Sequence, residues 1–142
     1  MSFGGTTPPV IRHLLVCQDI VYDFANPLAP YSLRGIITVL GPESGESYPL
    51  LCDLLWMFTQ GSGDPGEYEI WIDLVPVDEE GNATADETTF GPWLWIIPEG
   101  VYIESRAWRL RNLPFQQPGL YEFRLRCGLE ILAREELLVM EE

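Results

Sequence analysis

Along residues 108–127, WRLRNLPFQQPGLYEFRLRC, apolar and polar positions alternate in two runs. In the first, Trp108, Leu110 and Leu113 are apolar while Arg109 and Arg111 point the other way; in the second, Tyr121, Phe123, Leu125 and Cys127 alternate with Glu122, Arg124 and Arg126. A period of two over both runs predicts two strands, each with one buried face. Between them Pro114, Pro118 and Gly119 break the ladder and let the chain reverse. The stretch therefore reads as a hairpin whose inward residues build the core and whose four Arg share an outer face.

The same test applied along the chain yields more strands. Residues 10–17 read as a first strand ending in the acidic segment 18–23, and Pro27 and Pro30 make residues 23–32 an extended loop. Ile36, Ile37, Thr38 and Val39 predict a strand over 34–40 buried on both sides, closed by Gly41, Pro42 and Gly45. Residues 50–60 fit a strand or a helical stripe of Leu51, Leu54, Leu55 and Phe58; Pro49 before them and the hairpin-like GSGDPGE after them favour the strand. Over 67–75, Tyr68, Ile70, Ile72 and Leu74 point inward, with Glu67, Glu69, Asp73 and Trp71 outward. Residues 77–89 read as an exposed acidic loop, and Pro92 and Pro98 make the aromatic run 90–97 an edge strand. Residues 101–105 lead on, with a bulge expected at 104–106. Gly128 starts a tight turn into 130–140, where Ile131, Ala133, Leu137 and Val139 alternate with Arg134 and Glu136, while a Glu130/Arg134 pair keeps a helix as the rival.

These elements predict an all-β fold, an immunoglobulin-like antiparallel β-sandwich of seven to nine strands. They fit one domain over residues 1–142 with a flexible head at 1–9. Tyr121, two residues after Gly119 at the start of the penultimate strand, occupies the position of a tyrosine corner.

Composition narrows the partners. The 142 residues, 46% hydrophobic and 12% aromatic, can build a real core, yet 22 acids against 8 basic residues leave a net charge of −14. That charge argues against a compact nucleic-acid binder. All eight basic residues are Arg, so Schiff-base and phosphate-loop lysines are excluded. Residues 1–90 carry 2 Arg against 14 acids, and residues 91–142 carry 6 Arg against 8. Cys17, Cys52 and Cys127 are odd in number and lie in apolar runs, so they read as buried, reduced thiols. The first residues lack the pattern of a signal peptide, and no apolar run approaches the roughly 20 residues of a membrane span. The expectation is a soluble, cytoplasmic protein that binds neither membrane nor nucleic acid.

Candidate chemistry is sparse. His13 is the only His and sits in a strand; Cys17, four residues on, lies about 13 Å away along that strand, too far for direct activation. No nucleophile-elbow, phosphate-loop or dinucleotide motif occurs. The expectation is no catalytic residue, no enzyme activity and no cofactor. One His and three scattered Cys offer no closed zinc set. Asp78, Glu79, Glu80, Asn82, Asp86 and Glu87 put oxygen ligands in one loop, with Asp78, Glu80, Asn82 and Asp86 the candidate calcium set, but the alternating Asp-x-Asp-x-Asp-Gly spacing is absent. Asn82 opens a glycosylation sequon without secretory context. Trp71, Trp93 and Trp95 alternate in candidate strands and offer a sugar-stacking platform, although aromatics more often fill sandwich cores.

The order of elements resembles a family of small, uncharacterised bacterial cytoplasmic β-sandwich proteins of the domain-of-unknown-function kind. GEYEIWIDLV at 66–75, the D-x-x-G turn from Asp78 to Gly81 and the closing LPFQQPGLYEFRLRCGLEILAREELLV at 113–139 carry the resemblance, which covers most of residues 10–140. It implies the fold and brings no activity with it. The functional expectation is a non-enzymatic protein-interaction or scaffolding module that associates with a protein partner or itself through Arg109, Arg111, Arg124 and Arg126. The alternative is a calcium- or carbohydrate-binding β-sandwich.

Overall fold

The computed structural model describes residues 8–25, 30–42, 47–100 and 103–141. Among these residues nine strands follow in order: β1 (Val10–Tyr22), β2 (Tyr31–Ile36), β3 (Val39–Leu40), β4 (Leu50–Ser62), β5 (Gly66–Val77), β6 (Thr88–Ile97), β7 (Glu104–Phe115), β8 (Gly119–Cys127) and β9 (Glu130–Val139). They form two sheets, β2-β1-β4-β7 and β3-β9-β8-β5-β6, antiparallel except for the short parallel pair β3/β9. The immunoglobulin-like sandwich is thus the fold, and 50–62 and 130–139 are strands rather than helices. Most of the expected head, residues 1–7, lies outside the described residues, as do 26–29 of the first long loop, Gly45 and residues 101–102.

Inward positions of both sheets interdigitate as alternation demands. Leu14 and Val16 of β1, Leu55 and Met57 of β4, and Trp108, Leu110, Leu113 and Phe115 of β7 face Tyr68, Ile70, Ile72 and Leu74 of β5, Trp95 and Ile97 of β6, Phe123 and Leu125 of β8, and Leu137 and Val139 of β9. One polar pair is sealed inside: the Trp108 indole donates to the Thr59 hydroxyl at 3.0 Å. Along one side Trp93 and Trp95 pack on Trp108, and the Arg106 guanidinium donates to the Ile96 carbonyl, which ties β7 to edge strand β6.

Three expectations are corrected. Residues 108–127 are not a hairpin: β7 pairs with β4, β8 pairs with β5 and β9, and the chain between them crosses from one sheet to the other. The Tyr121 hydroxyl donates to the Gln117 carbonyl at 2.6 Å, and its ring meets Phe115 edge-on at 5.0 Å. This is the tyrosine corner, which pins a crossing and is incompatible with a hairpin. Period two reports that a strand has a buried face; it cannot report which strand lies beside it. The GSGDPGE loop crosses between sheets in the same way, since β4 pairs with β1 and β7 while β5 pairs with β6 and β8.

Second, residues 34–40 are not one doubly buried strand. Gly35 adopts φ of +64°, β2 ends as an exposed edge at Ile36, and Val39–Leu40 joins the other sheet beside β9. A run of four β-branched residues carries no alternation that would reveal the switch. Third, the β4/β7 register runs unbroken past Glu104 and Arg106, so the bulge expected there is absent; the irregular residue in β7 is Asn112, at φ of +57°. True hairpins join β1 to β2, β5 to β6, and β8 to β9, the last through a tight turn at Gly128 with φ of +60°.

Candidate functional site

Because β7 and β8 belong to different sheets, the four arginines expected on one face are split between the two outer faces of the sandwich. Arg124 and Arg126, from β8, are consumed internally. Arg124 pairs with Glu122 at 2.6 Å and reaches the Gly81 carbonyl at 3.1 Å, and Arg134 adds a second contact to the same Glu122 carboxylate at 3.2 Å. Arg126 pairs with Asp73 at 2.8 Å and lies over the Trp71 ring; Asp73 also accepts from the Thr89 hydroxyl at 2.7 Å. Both carboxylates are largely buried, and their pairing with Arg offsets the cost of that burial.

Through Gly81, Arg124 also holds the β5–β6 loop down on the sheet. A bridge between Val77 and Ala83 fixes the same loop, and the Asp78 carboxylate is spent inside it, accepting from the Glu80 and Asn82 amides at 3.0 and 2.9 Å. The candidate calcium set is therefore not gathered: Asp78, a ligand in that expectation, serves as a turn cap. Among the described residues no three His, Cys, Asp or Glu side chains are close enough to hold a metal ion.

Arg109 and Arg111, from β7, have a different setting. They are exposed, and among the described residues neither has a carboxylate within 4 Å. Their register partners on β4 are Trp56 and Leu54, so the outer face of this sheet carries a two-by-two block of Arg109, Arg111, Trp56 and Leu54. Arg109 stacks over the Trp56 ring at 5.2 Å, which orients its guanidinium while leaving its outer donors in water. The Trp56 row continues through Cys17 to Ile36, exposed on the edge strand. Next to this block the β1–β2 tip turns back over the sheet: Phe24, Tyr22, Tyr31 and Phe58 form a ladder of edge-on rings, and the Tyr31 hydroxyl reaches the Ser105 carbonyl. That cover explains why Phe58 is buried although it points outward. Burial raises the Tyr31 hydroxyl, with Arg106 opposing the shift.

The opposite outer face repeats the arrangement with the other sign. Val39 of β3 pairs with Leu138 of β9, which pairs with Leu120 and through it with Val77 of β5, so an apolar row crosses the sheet. Val39 is 50% and Leu138 42% exposed. Glu136 stands beside Leu138 on the same face, exposed and, among the described residues, with no cation within 4 Å. The acidic β5–β6 loop begins where the apolar row ends, at Val77.

The remaining candidates are dispersed. His13 is exposed on β1 across from Gln60, and the Trp71–Trp93–Trp95 platform does not form, because Trp93 and Trp95 turn into the core against Trp108 while Trp71 faces out beneath Arg126. The three cysteines are free; Cys17 is buried, and Cys52 and Cys127 are partly so rather than fully buried. Burial, with help from Asp19, pushes the Cys17 thiol up to about 11, and burial raises Cys52 and Cys127 as well. All three therefore hold their protons at neutral pH, which lowers their nucleophilicity. Trp56, Leu54, Val39 and Glu136 were missed by sequence reasoning because nothing local marks a residue as the neighbour of Arg109 or Leu138; only non-local strand pairing does.

No protein-family model matches the chain. It is 26% identical over 82 residues to the sodium-dependent phosphate transport protein 1 of Oryctolagus cuniculus, a match covering 54% of this chain and 18% of the transporter. Among solved structures it is similar to a Pseudomonas fluorescens alkylpurine DNA glycosylase bound to DNA containing an abasic site analogue (11% identity, TM-score 0.54, 96% of this chain and 31% of that one). It is also similar to a β-glucosidase from Listeria innocua in complex with glucose (12% identity, TM-score 0.50, 95% and 16%). An immunoglobulin-like protein from Pseudomonas aeruginosa aligns at 13% identity and TM-score 0.44, over 96% of this chain and 100% of that one. The chain thus spans less than a third of the transporter, the glycosylase and the glucosidase, and its likeness to the two enzymes is one of fold.

Proposed function

We propose that this chain is a non-enzymatic, cytoplasmic protein-interaction module that docks an acidic protein surface through the outer face of its β2-β1-β4-β7 sheet. The observation that supports this reading is the block of Arg109, Arg111, Trp56 and Leu54: two arginines without internal carboxylates, one of them held on an indole, in a chain of net charge −14. Arg and Trp are the side chains that most often carry interface energy, and an arginine pre-oriented on a ring loses little freedom on binding. Arg124 and Arg126, which pair within their own sheet, drop out of the expected contact set. Three free thiols are in keeping with a reducing compartment. Among the described residues no helix is long and apolar enough to cross a membrane.

The test is a nuclear magnetic resonance titration with a synthetic peptide rich in Glu and Leu. The reading expects shifts confined to the Trp56 indole and to the backbone around Leu54, Arg109 and Arg111, weakened at least tenfold by Arg109→Glu with Arg111→Glu. Shifts spread evenly over the surface, or unchanged by the double variant, would refute it.

A further inference from the structure

Sorting the charges by sheet exposes an asymmetry that the order of residues in the chain conceals. The strands β1, β2, β4 and β7 carry five Arg (Arg12, Arg34, Arg106, Arg109, Arg111) against three acids (Asp19, Asp53, Glu104), a balance of plus two. The strands β3, β5, β6, β8 and β9 carry three Arg against seven acids, a balance of minus four. The β5–β6 loop fastened over that second sheet adds five more acids between residues 78 and 87, which brings its side to minus nine. Asp23 of the β1–β2 tip, counted likewise with the first sheet that it lies over, lowers that side to plus one, so the sandwich is polarised, with a weakly basic face on one side and a strongly acidic face on the other.

Resting on the proposed docking role of the basic face, we infer that its acidic partner is a second copy of this chain, joined face to opposite face. In that contact Arg109, Arg111, Trp56 and Leu54 of one copy meet Glu136, Leu138, Val39 and the acidic loop of the next. Each block offers exposed apolar side chains edged by charge without an internal counter-ion, and the signs are opposite. The alternative symmetric contacts fail on the same count. Basic face on basic face gathers Arg109 and Arg111 of both copies at one contact, and acidic face on acidic face opposes two strongly acidic surfaces, so both arrangements bring like charges together.

Area permits the arrangement. A standard interface takes about 800 Å² from each partner, about a tenth of the 8561 Å² surface of this molecule, and the two faces lie back to back, so both can be occupied together. A contact between two different faces does not close on itself unless its rotation happens to complete a ring, so the assembly grows as a row. Its strength depends on salt, because the charged groups sit at exposed rims.

Sedimentation velocity over a concentration series, at about 0.05 M and about 0.5 M salt, where screening lengths differ about threefold, tests this. The wild-type chain is expected to give a weight-average mass that keeps rising with concentration at low salt and falls toward the monomer at high salt. Arg109→Glu with Arg111→Glu, and separately Glu79→Arg with Glu136→Arg, should each weaken association by about a hundredfold. Mixed in equal amounts, the two variants should recover a mixed species of at least one copy of each, since each retains the face that the other has lost and the two altered faces again carry opposite charge. That species also reports that both variants fold. A wild-type chain monomeric throughout, a dimer indifferent to both double variants, or a mixture that stays monomeric would overturn the inference. A monomeric wild type that still binds the acidic peptide through Trp56 leaves the docking role standing with a different partner.

Discussion

Replacing Tyr121 with Phe isolates the bond that holds the crossing between the two sheets. The Tyr121 hydroxyl donates to the Gln117 carbonyl at 2.6 Å, while the ring lies 5.0 Å from Phe115 at an interplanar angle of 88°, and the residue is 3% exposed. Phe keeps the ring contact and removes only the hydroxyl. Gln117 is exposed, so its freed carbonyl can turn to water, and the loss should lie in the ordinary range for a hydrogen bond, about 1 to 1.5 kcal/mol. For a domain of this size that corresponds to a fall in Tm of about 3–5 °C. Tyr121→Ala also removes the buried ring and should cost about 3–5 kcal/mol, the range for emptying a large aromatic site. Urea unfolding followed by tryptophan fluorescence measures both, with an unchanged dependence on urea as the sign that only native stability moved. If Tyr121→Phe were as stable as the wild type within about 0.3 kcal/mol, the hydroxyl would not hold the corner. If it cost as much as Tyr121→Ala, the ring would not be contributing the larger share.

Other expectations follow from single contacts. Thr59→Val leaves the buried Trp108 indole N–H without its acceptor and should cost about 1–3 kcal/mol, and a double-mutant cycle with Trp108→Phe should show coupling between the two sites. Gly61→Ala would place a Cβ 2.8 Å from the Val10 carbonyl oxygen and 3.0 Å from the Trp95 ring, so a loss of about 1–3 kcal/mol is expected in the same unfolding assay. Arg124→Gln should release the β5–β6 loop, seen as faster amide exchange at Asn82 and Thr84 while the core amides stay protected. The Cys17 thiol, raised by burial to about 11, keeps its proton longer in the folded than in the unfolded chain. Its contribution is therefore whole below about pH 9 and lost as pH climbs toward 11, amounting to about 2–3 kcal/mol, and Cys17→Ala should flatten that part of the alkaline stability profile.

Period-two alternation, which depends only on neighbours along the chain, determined the β class, the positions of most strands and the residues that face inward. Trp108, Leu110, Tyr121, Phe123 and Leu125 are buried as their spacing requires, and the 50–62 stretch became a strand where local pattern also allowed a helix. Turn chemistry was legible at Gly128, and Tyr121 marked a corner. Tertiary structure alone decided which strands pair. A buried face satisfies the hydrophobic effect equally well against any apolar partner, so the crossing between β7 and β8 and the switch from β2 to β3 leave no trace in alternation. The functional picture turned on that choice. Four arginines read as one face became two sets: Arg124 and Arg126 are bound to Glu122 and Asp73, and Arg109 and Arg111 lie open beside Trp56 and Leu54. Net charge is a property of composition, but its separation into a basic and an acidic face arises only when distant strands are laid side by side.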